Sequence, residues 1–318
     1  MYKQFFGLNR NPFELSPDPE FFYPTPLHNE AWASLVYGVK ARKGFVVVTG
    51  EVGTGKTLLV QCMLQWLNKN QIAFSHMFNP RLSVIEFLQY FSADLGLAIA
   101  DKNKTALLIQ LNQYLIACYR KGSTAVLIVD EGQLLGWDVL EEIRLLTNLE
   151  TAQQKLLQIV LVGQPELEQK LDSADLRQLK QRVSLRCRLL PLSEEQAGQY
   201  IARRLEVAGA RSADTIFPPA TVAAIFQHSK GFPRLINTIC DSALISAFAR
   251  EVHSITPEII EQVAADARLN VEPEPALAAK TTSESNVLKD LFTLIHLLEK
   301  EEHKNGMVQL VKKKAGGT

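Results

Sequence analysis

The chain has no surplus of charge. Its 34 Lys and Arg balance 34 Asp and Glu over 318 residues. No global field therefore argues for nucleic acid or an anionic membrane, and any such contact must come from a local patch. Cysteine is scarce: Cys62, Cys118, Cys187 and Cys240 lie far apart, without C-x-x-C spacing. That disfavours zinc and a disulfide framework and fits a reducing cytoplasm. Long apolar runs are missing too. No stretch approaches the ~18 residues needed to span a bilayer, and Val287 to Leu298 is broken by Lys289, Asp290 and His296. Met1 to Gly7 lacks the apolar core of a secretory signal, and no repeat of fixed period is found. What is left is a soluble globular composition, 47% hydrophobic and 21% charged, at a length that suits two domains and a tail.

Within that ordinary composition one stretch stands out. Gly50-Glu51-Val52-Gly53-Thr54-Gly55-Lys56-Thr57 satisfies G-x-x-x-x-G-K-[ST] at every fixed position. Phe45 to Thr49 reads as a strand running into it, and Leu58 to Leu67 as a helix leaving it. Glycines let such a loop curl until its N–H groups point at phosphate oxygens, and the helix dipole adds to the field. In this arrangement Lys56 reaches the β- and γ-phosphates and Thr57 offers its hydroxyl to Mg²⁺. Gly50 to Leu58 is the expected nucleotide-binding segment.

The rest of the chain is organised around that loop. Residues 1–27, rich in Pro and Phe, read as an extended arm packed over the next domain, either as core cover or as a wall of the adenine pocket. His28 to Arg42 is an amphipathic helix. From Gly44 the pattern alternates strand and helix, with strands at Ile72–Phe78, Ala125–Asp130, Leu156–Val162 and Val183–Leu190. A single helix is expected near Pro165–Gln181. This is a parallel α/β domain over 28–191. After Pro191 no strand-like run remains, and residues 192–270 read as a small helical lid, opened by a Ser193/Gln196 capping box and closed by a helix capped by Thr256. Residues 271–286 have linker composition; an amphipathic helix from Val287 and a basic tail complete 287–318.

Three further places carry candidate chemistry. Asp130-Glu131 ends a β-branched run, at the sheet edge where ligands collect. Two carboxylates there need a cation: Asp130 suits Mg²⁺ and Glu131 the activation of water. Gln164, just past the next strand, is placed to sense the γ-phosphate or orient the water, unless it is an ordinary loop amide. Arg177, Arg182, Arg186 and Arg188 crowd the approach to the last strand. They read as a finger for a neighbour's site, as a basic patch, or as a solvated face, with Arg182 the choice for the finger. Arg234, in Gly231-Phe232-Pro233-Arg234, opens a helix and would face the nucleotide if the helical domain folds over it.

Taken together these motifs resemble an AAA+ ATPase, and more narrowly the general secretion pathway protein A (ExeA/GspA) type. The resemblance is carried over residues 1–268 by Phe5-Phe6-Gly7-Leu8, Pro12-Phe13, Pro17-Asp18-Pro19, the phosphate loop, Asp130-Glu131-Gly132-Gln133, Glu142 to Glu150, Leu161 to Leu167 and Gly231 to Asn237. It implies a P-loop NTPase fold: a five-stranded parallel sheet followed by an all-helical lid. It also implies ATP with Mg²⁺ and work as a homo-oligomer. By resemblance Lys56 and Thr57 contact phosphate and metal, Asp130 and Glu131 form the Walker B pair, Gln164 and Arg234 are sensors one and two, and Arg182 is the finger. Gly132 stands where the family often has Ala. The family also continues into a membrane span and a peptidoglycan-binding domain that this sequence does not contain, which leaves its role in secretin assembly open.

Two functions are therefore weighed. The first is a cytoplasmic ATPase, peripheral to the inner membrane through a partner bound by the 287–298 helix, that assists a secretion, pilus or exopolysaccharide export machine. The second is a DNA-dependent ATPase of the transposition or initiator kind. Net neutrality and a short C-terminal tail favour the first.

Overall fold

The apolar runs at 45–48, 125–129 and 156–162 have no side that asks for water, and each becomes a strand covered on both faces. The computed structural model describes residues 2–78, 80–99 and 103–267; the expected 271–286 linker, the helix from Val287 and the basic tail lie outside them. After a short N-terminal helix α1 (Tyr2–Phe5), the α/β layer is built from α2 (Pro26–Lys40), β1 (Phe45–Gly50), α3 (Lys56–Lys69), β2 (Ala73–Met77), α4 (Val84–Asp94), α5 (Lys104–Arg120), β3 (Ala125–Val129), α6 (Trp137–Leu146), β4 (Leu157–Gly163), α7 (Pro165–Leu171), α8 (Arg177–Lys180) and β5 (Leu185–Leu189). The strand order is β2-β3-β4-β1-β5, every pair parallel. Phe45, Val47, Leu127, Val129, Ile159 and Leu161 face one apolar layer with α4 to α7. Val46, Val48, Val126, Ile128, Val160 and Val162 face the other, against α2 and α3. The expected α/β core with five parallel strands is what forms.

One expected helix is broken. In place of a single helix to Gln181, α7 stops at Leu171, Ser173 is extended, a 3-10 turn covers Ala174–Leu176 and α8 follows. Leu167, Leu171, Leu176 and Leu179 are all buried. The five-residue step from 171 to 176 would swing Leu176 off a continuous helical stripe, so the break in Asp172-Ser173 keeps both pairs facing the core.

The C-terminal layer is entirely helical among the described residues: α9 (Glu194–Val207), α10 (Ala213–Ile216), α11 (Pro219–Ser229), α12 (Pro233–Ala249) and α13 (Pro257–Asp266). The capping box that opens α9 is present, Ser193 N–H donating to Gln196 Oε1 at 3.0 Å and Gln196 N–H to Ser193 Oγ at 3.2 Å. Thr256 does stand at the N-cap of α13, but its side chain makes no capping bond. Leu192 N–H donates to Gly231 O at 2.9 Å. A Cβ at Gly231 (φ +78°) would lie 2.0 Å from Leu192 O, so only glycine lets the two turns meet.

The arm packs mainly on the helical layer, while Phe22 reaches the α/β core on the side of α2 and α3. Phe6, Leu8, Phe13 and Phe21 belong to the core of the helical layer, with Leu205, Phe217 and Ile236. Small helices bury too little apolar surface among themselves, and the aromatics complete their core. Phe13 meets Phe217 edge-on at 5.8 Å, and Phe5 stacks on His253 at 4.0 Å. Tyr2 Oη donates to Asp241 Oδ1 at 2.6 Å. Phe13→Ala should therefore cost about 3–5 kcal/mol of stability, read as a lower urea midpoint together with new protease cleavage in residues 7–25. An unchanged midpoint would show that the arm is not part of this core.

Candidate active site

The phosphate loop turns at Gly53 (φ +82°) and at Gly55 (φ +97°), which caps α3. That curl leaves the first N–H groups of α3 without helical carbonyls, the usual anion-binding end. Lys56 lies 6% exposed and donates to Gly50 O at 2.7 Å and Glu51 O at 2.9 Å. Burial pulls its ammonium below the ordinary lysine value; Glu131, Asp130 and Glu51 pull it back. Thr54 is buried and braces the loop, its hydroxyl donating to Glu51 O at 2.8 Å. Thr57 is exposed at the mouth.

Opposite the loop, β3 delivers Asp130 at 5% exposure, with its N–H on Met77 O at 2.8 Å. Burial pushes its carboxyl above the ordinary aspartate value; the Glu131 N–H on Oδ1 at 2.9 Å, then His76 and Lys56, offset this. Glu131 follows in the left-handed region at φ +53°, and its carboxylate meets the end of β4. There Gln133 Nε2 donates to Glu131 Oε2 at 2.5 Å and Gln164 Nε2 to the same oxygen at 3.2 Å. Asp130, Glu131 and Gln164 thus meet at one edge of the sheet, as their strand positions require.

Between the two layers lies a cleft of about 280 Å³, lined by the loop, Glu131, the arm from Glu14 to Asp18, and Tyr200, Arg204, Arg234 and Asn237. Arg234 rides on the first turn of α12, its N–H donating to Gly53 O at 3.3 Å. A Cβ on Gly53 would stand 2.9 Å from Arg234 Cβ, so the helical layer sits directly on the loop. The donor set fits Mg²⁺: one hydroxyl (Thr57) and one carboxylate (Asp130) are hard oxygen ligands, and such sites keep waters and substrate phosphates as the remainder. Groups of three or more His, Cys, Asp or Glu that could hold a metal are absent among the described residues.

Arg182 is elsewhere. β5 runs parallel to β1 with Leu189 beside Gly50, while Ser184 N–H donates to Phe45 O at 2.9 Å. Arg182, two residues before Ser184, therefore lies toward the opposite edge of the sheet from the loop. Arg182 is exposed, close enough to Glu150 to add to the stronger pull of Lys155 on that carboxylate. Arg186 and Arg188 are exposed along β5.

Sequence reasoning missed four contributors. Arg204, 4% exposed, donates to the carbonyls of Pro12 and Glu14 and lies over the Phe21 ring at 4.7 Å, tying the arm to the cleft. Tyr200 donates to Asn237 Oδ1 at 2.8 Å beside it. Nothing local distinguishes these from ordinary helix residues. Gln133 was visible only as part of a family motif. His28, 5% exposed, shares its Nδ1 with Thr25 Oγ1 at 2.7 Å and its Nε2 with Thr54 O at 3.2 Å, under Gly55; Thr25 spaced three before it was its one signal.

With this geometry in place, residues 39–171 match the AAA domain family model. Among solved structures the chain is similar to Cdc6p from Pyrobaculum aerophilum (TM-score 0.61, 15% identity, 80% of this chain and 70% of that one). It is also similar to the Aeropyrum pernix ORC2 protein in its ADPNP–ADP complexes (TM-score 0.58, 14% identity, 81% and 72%). These likenesses share the fold. The fold class is that of the AAA+ P-loop ATPases, with the matched AAA domain spanning residues 39–171. Within that class it is similar to General secretion pathway protein A of Aeromonas hydrophila, 46% identical over 256 residues that make 80% of this chain and 46% of that protein. It is 30% identical over 131 residues to ATP-dependent target DNA activator B of Escherichia phage Mu, 41% of this chain and 39% of that one. The chain spans about half the length, or less, of these curated relatives.

The His28 contacts give the loop a pH dependence. Burial lowers this imidazole from 6.5, the Thr54 carbonyl only partly restoring it. The folded protein thus prefers the neutral ring, so the contribution to stability is complete above 6.5 and drains away as pH falls through the lowered value. Urea midpoints should drop more steeply below about pH 6.5 in the parent than in His28→Gln. Parallel profiles would show that His28 does not couple to folding.

Proposed function

We propose that the chain binds ATP with Mg²⁺ at this cleft, hydrolyses it, and drives assembly or regulation of a bacterial envelope system through a protein partner. One observation carries the reading: the phosphate loop and the Asp130–Glu131 pair face each other beneath Arg234, in a chain 46% identical to a general secretion pathway protein. Lys56 neutralises phosphate charge and the α3 N–H groups cradle it. Thr57 and Asp130 hold Mg²⁺, which supplies further charge neutralisation on the phosphates when bound. Glu131 takes the proton of the attacking water, Gln164 orients that water, and Arg234 reports the nucleotide to the helical layer acting as a lid. The Glu14–Asp18 arm walls the base, beside Tyr200 and Arg204. Arg182, at the far edge of its own sheet, serves a neighbouring subunit in a homo-oligomer.

The test is a pair of variants. Glu131→Gln should keep ATP affinity within about threefold and lose turnover by at least ~100-fold, while Lys56→Ala should lose affinity as well. Normal turnover by Glu131→Gln would remove it as the base. For Arg182→Ala, activity should return on mixing with Lys56→Ala subunits, whose own sites are dead but whose arginines are intact; failure of that rescue returns Arg182 to a structural role.

The 30% identity to the phage Mu protein over 131 residues favours a second reading, a DNA-dependent ATPase. ATPase rates with and without duplex DNA separate the two. Strong stimulation that fades as salt rises would favour the second; an unchanged rate supports the first.

A further inference from the structure

The water-activating carboxylate does not stand alone at its strand end. Gln133 reaches both sides of it: its Nε2 donates to Glu131 Oε2 at 2.5 Å, and its Oε1 accepts the Gln164 backbone N–H at 3.0 Å. The amide orientation follows from chemistry, because a backbone N–H can only donate. Oε1 must therefore face Gln164 and the NH₂ must face the carboxylate. Gln164 closes the ring with its own Nε2 on the same Glu131 oxygen at 3.2 Å. One oxygen of Glu131 is thus held by two amides, and the orientation of the other is fixed with it.

The surroundings are built to keep Gln133 there. The left-handed turn at Glu131 and the 3-10 turn Gly132–Leu134 fold it back against β4. A Cβ at Gly163 would lie 2.8 Å from Gln133 Oε1 and 2.9 Å from Leu167 Cδ2, so glycine is what admits the amide. Lys170 Nζ donates to the carbonyls of Gln133 at 3.1 Å and Leu135 at 2.5 Å. Its ammonium also sits 5.5 Å from the centre of the half-exposed Trp137 ring.

We propose that Gln133 is the positioning residue for Glu131, setting the aim of the carboxylate and linking it to the sensor strand through Gln164. The inference rests on the reading of Glu131 as the base. Gln133 lines no part of the cleft, so it acts on turnover through Glu131 rather than on nucleotide binding. Losing a charge-assisted hydrogen bond at a reacting group costs about 10- to 100-fold in rate.

Two variants of similar size test it. Gln133→Leu removes both bonds; Gln133→Glu keeps an acceptor for the Gln164 N–H and removes the donor to Glu131. Both should lose kcat by about 10- to 100-fold, with KM and the affinity for a non-hydrolysable ATP analogue within about twofold. On a Glu131→Gln background, Gln133→Leu should cause no further loss, since the group it positions is gone. Unchanged kcat in Gln133→Glu overturns the proposal, as does an additive loss in the double variant. If Gln133→Leu does not fold, the near-isosteric Gln133→Glu decides alone. Failure of the underlying reading looks different: Glu131→Gln itself would then turn over normally.

Discussion

Lys56 is a cation almost wholly withdrawn from water, and the arrangement of the site follows from that cost. A buried ammonium persists only where carbonyls and carboxylates surround it. The curl of the loop supplies Gly50 O and Glu51 O; β3 supplies Asp130 and Glu131 across the gap. The Asp130 carboxylate is itself disfavoured by burial and depends in turn on the Glu131 N–H, on His76 and on Lys56. On the proposed function, bringing phosphate and a divalent cation into such a site would add charges of each sign where the protein already holds their partners. Little reorganisation is then needed as charge shifts during transfer. The apolar sheet matters because it holds both halves still, with β1 and β4 paired in register beneath them.

The second constraint is that three separate stretches share one cleft. Arg234 presses on Gly53 from the helical layer, while Arg204 of the same layer grips the arm by the carbonyls of Pro12 and Glu14. Arm and helices therefore share a core, joined to the α/β layer near Leu192 and Gly231 and touching it again at the loop. Movement of that core would carry Arg234 and the Glu14–Asp18 wall together. On the proposed function, this is how occupancy of a small cleft reaches a large surface.

Much of this was legible in the sequence because the relevant signals are local. The phosphate loop, its flanking strand and helix, the β-branched run ending in Asp130, and the Ser193 capping box all state their structure within a few residues. The misplaced features depend on distant partners. The arm's aromatics announce burial but not which surface covers them, and Phe217 and Arg204, nearly 200 residues away, decide it. Gln133 looks like any polar turn residue until Gln164, just past the end of β4, meets its amide. The break at Asp172-Ser173 was masked by helix-forming neighbours, and only the need to bury both Leu171 and Leu176 imposes it.

Zero net charge concealed a polar arrangement that bears on Arg182. The turns leading into the strands carry Lys43, Lys69, Lys121, Lys155 and Arg182, while the opposite edge carries Glu51, Asp130, Glu131 and Glu166. Helices crossing between parallel strands end at the basic edge, so part of that charge answers their dipoles. A guanidinium fixed there cannot reach the loop of its own chain without crossing the sheet, whose strands are hydrogen-bonded throughout. Its own basic edge also does not demand it, since Glu150 is already paired with Lys155. If Arg182 stabilises phosphoryl transfer at all, it does so across a subunit boundary. The site built on Lys56 is then complete only when the acidic edge of one copy meets the basic edge of another.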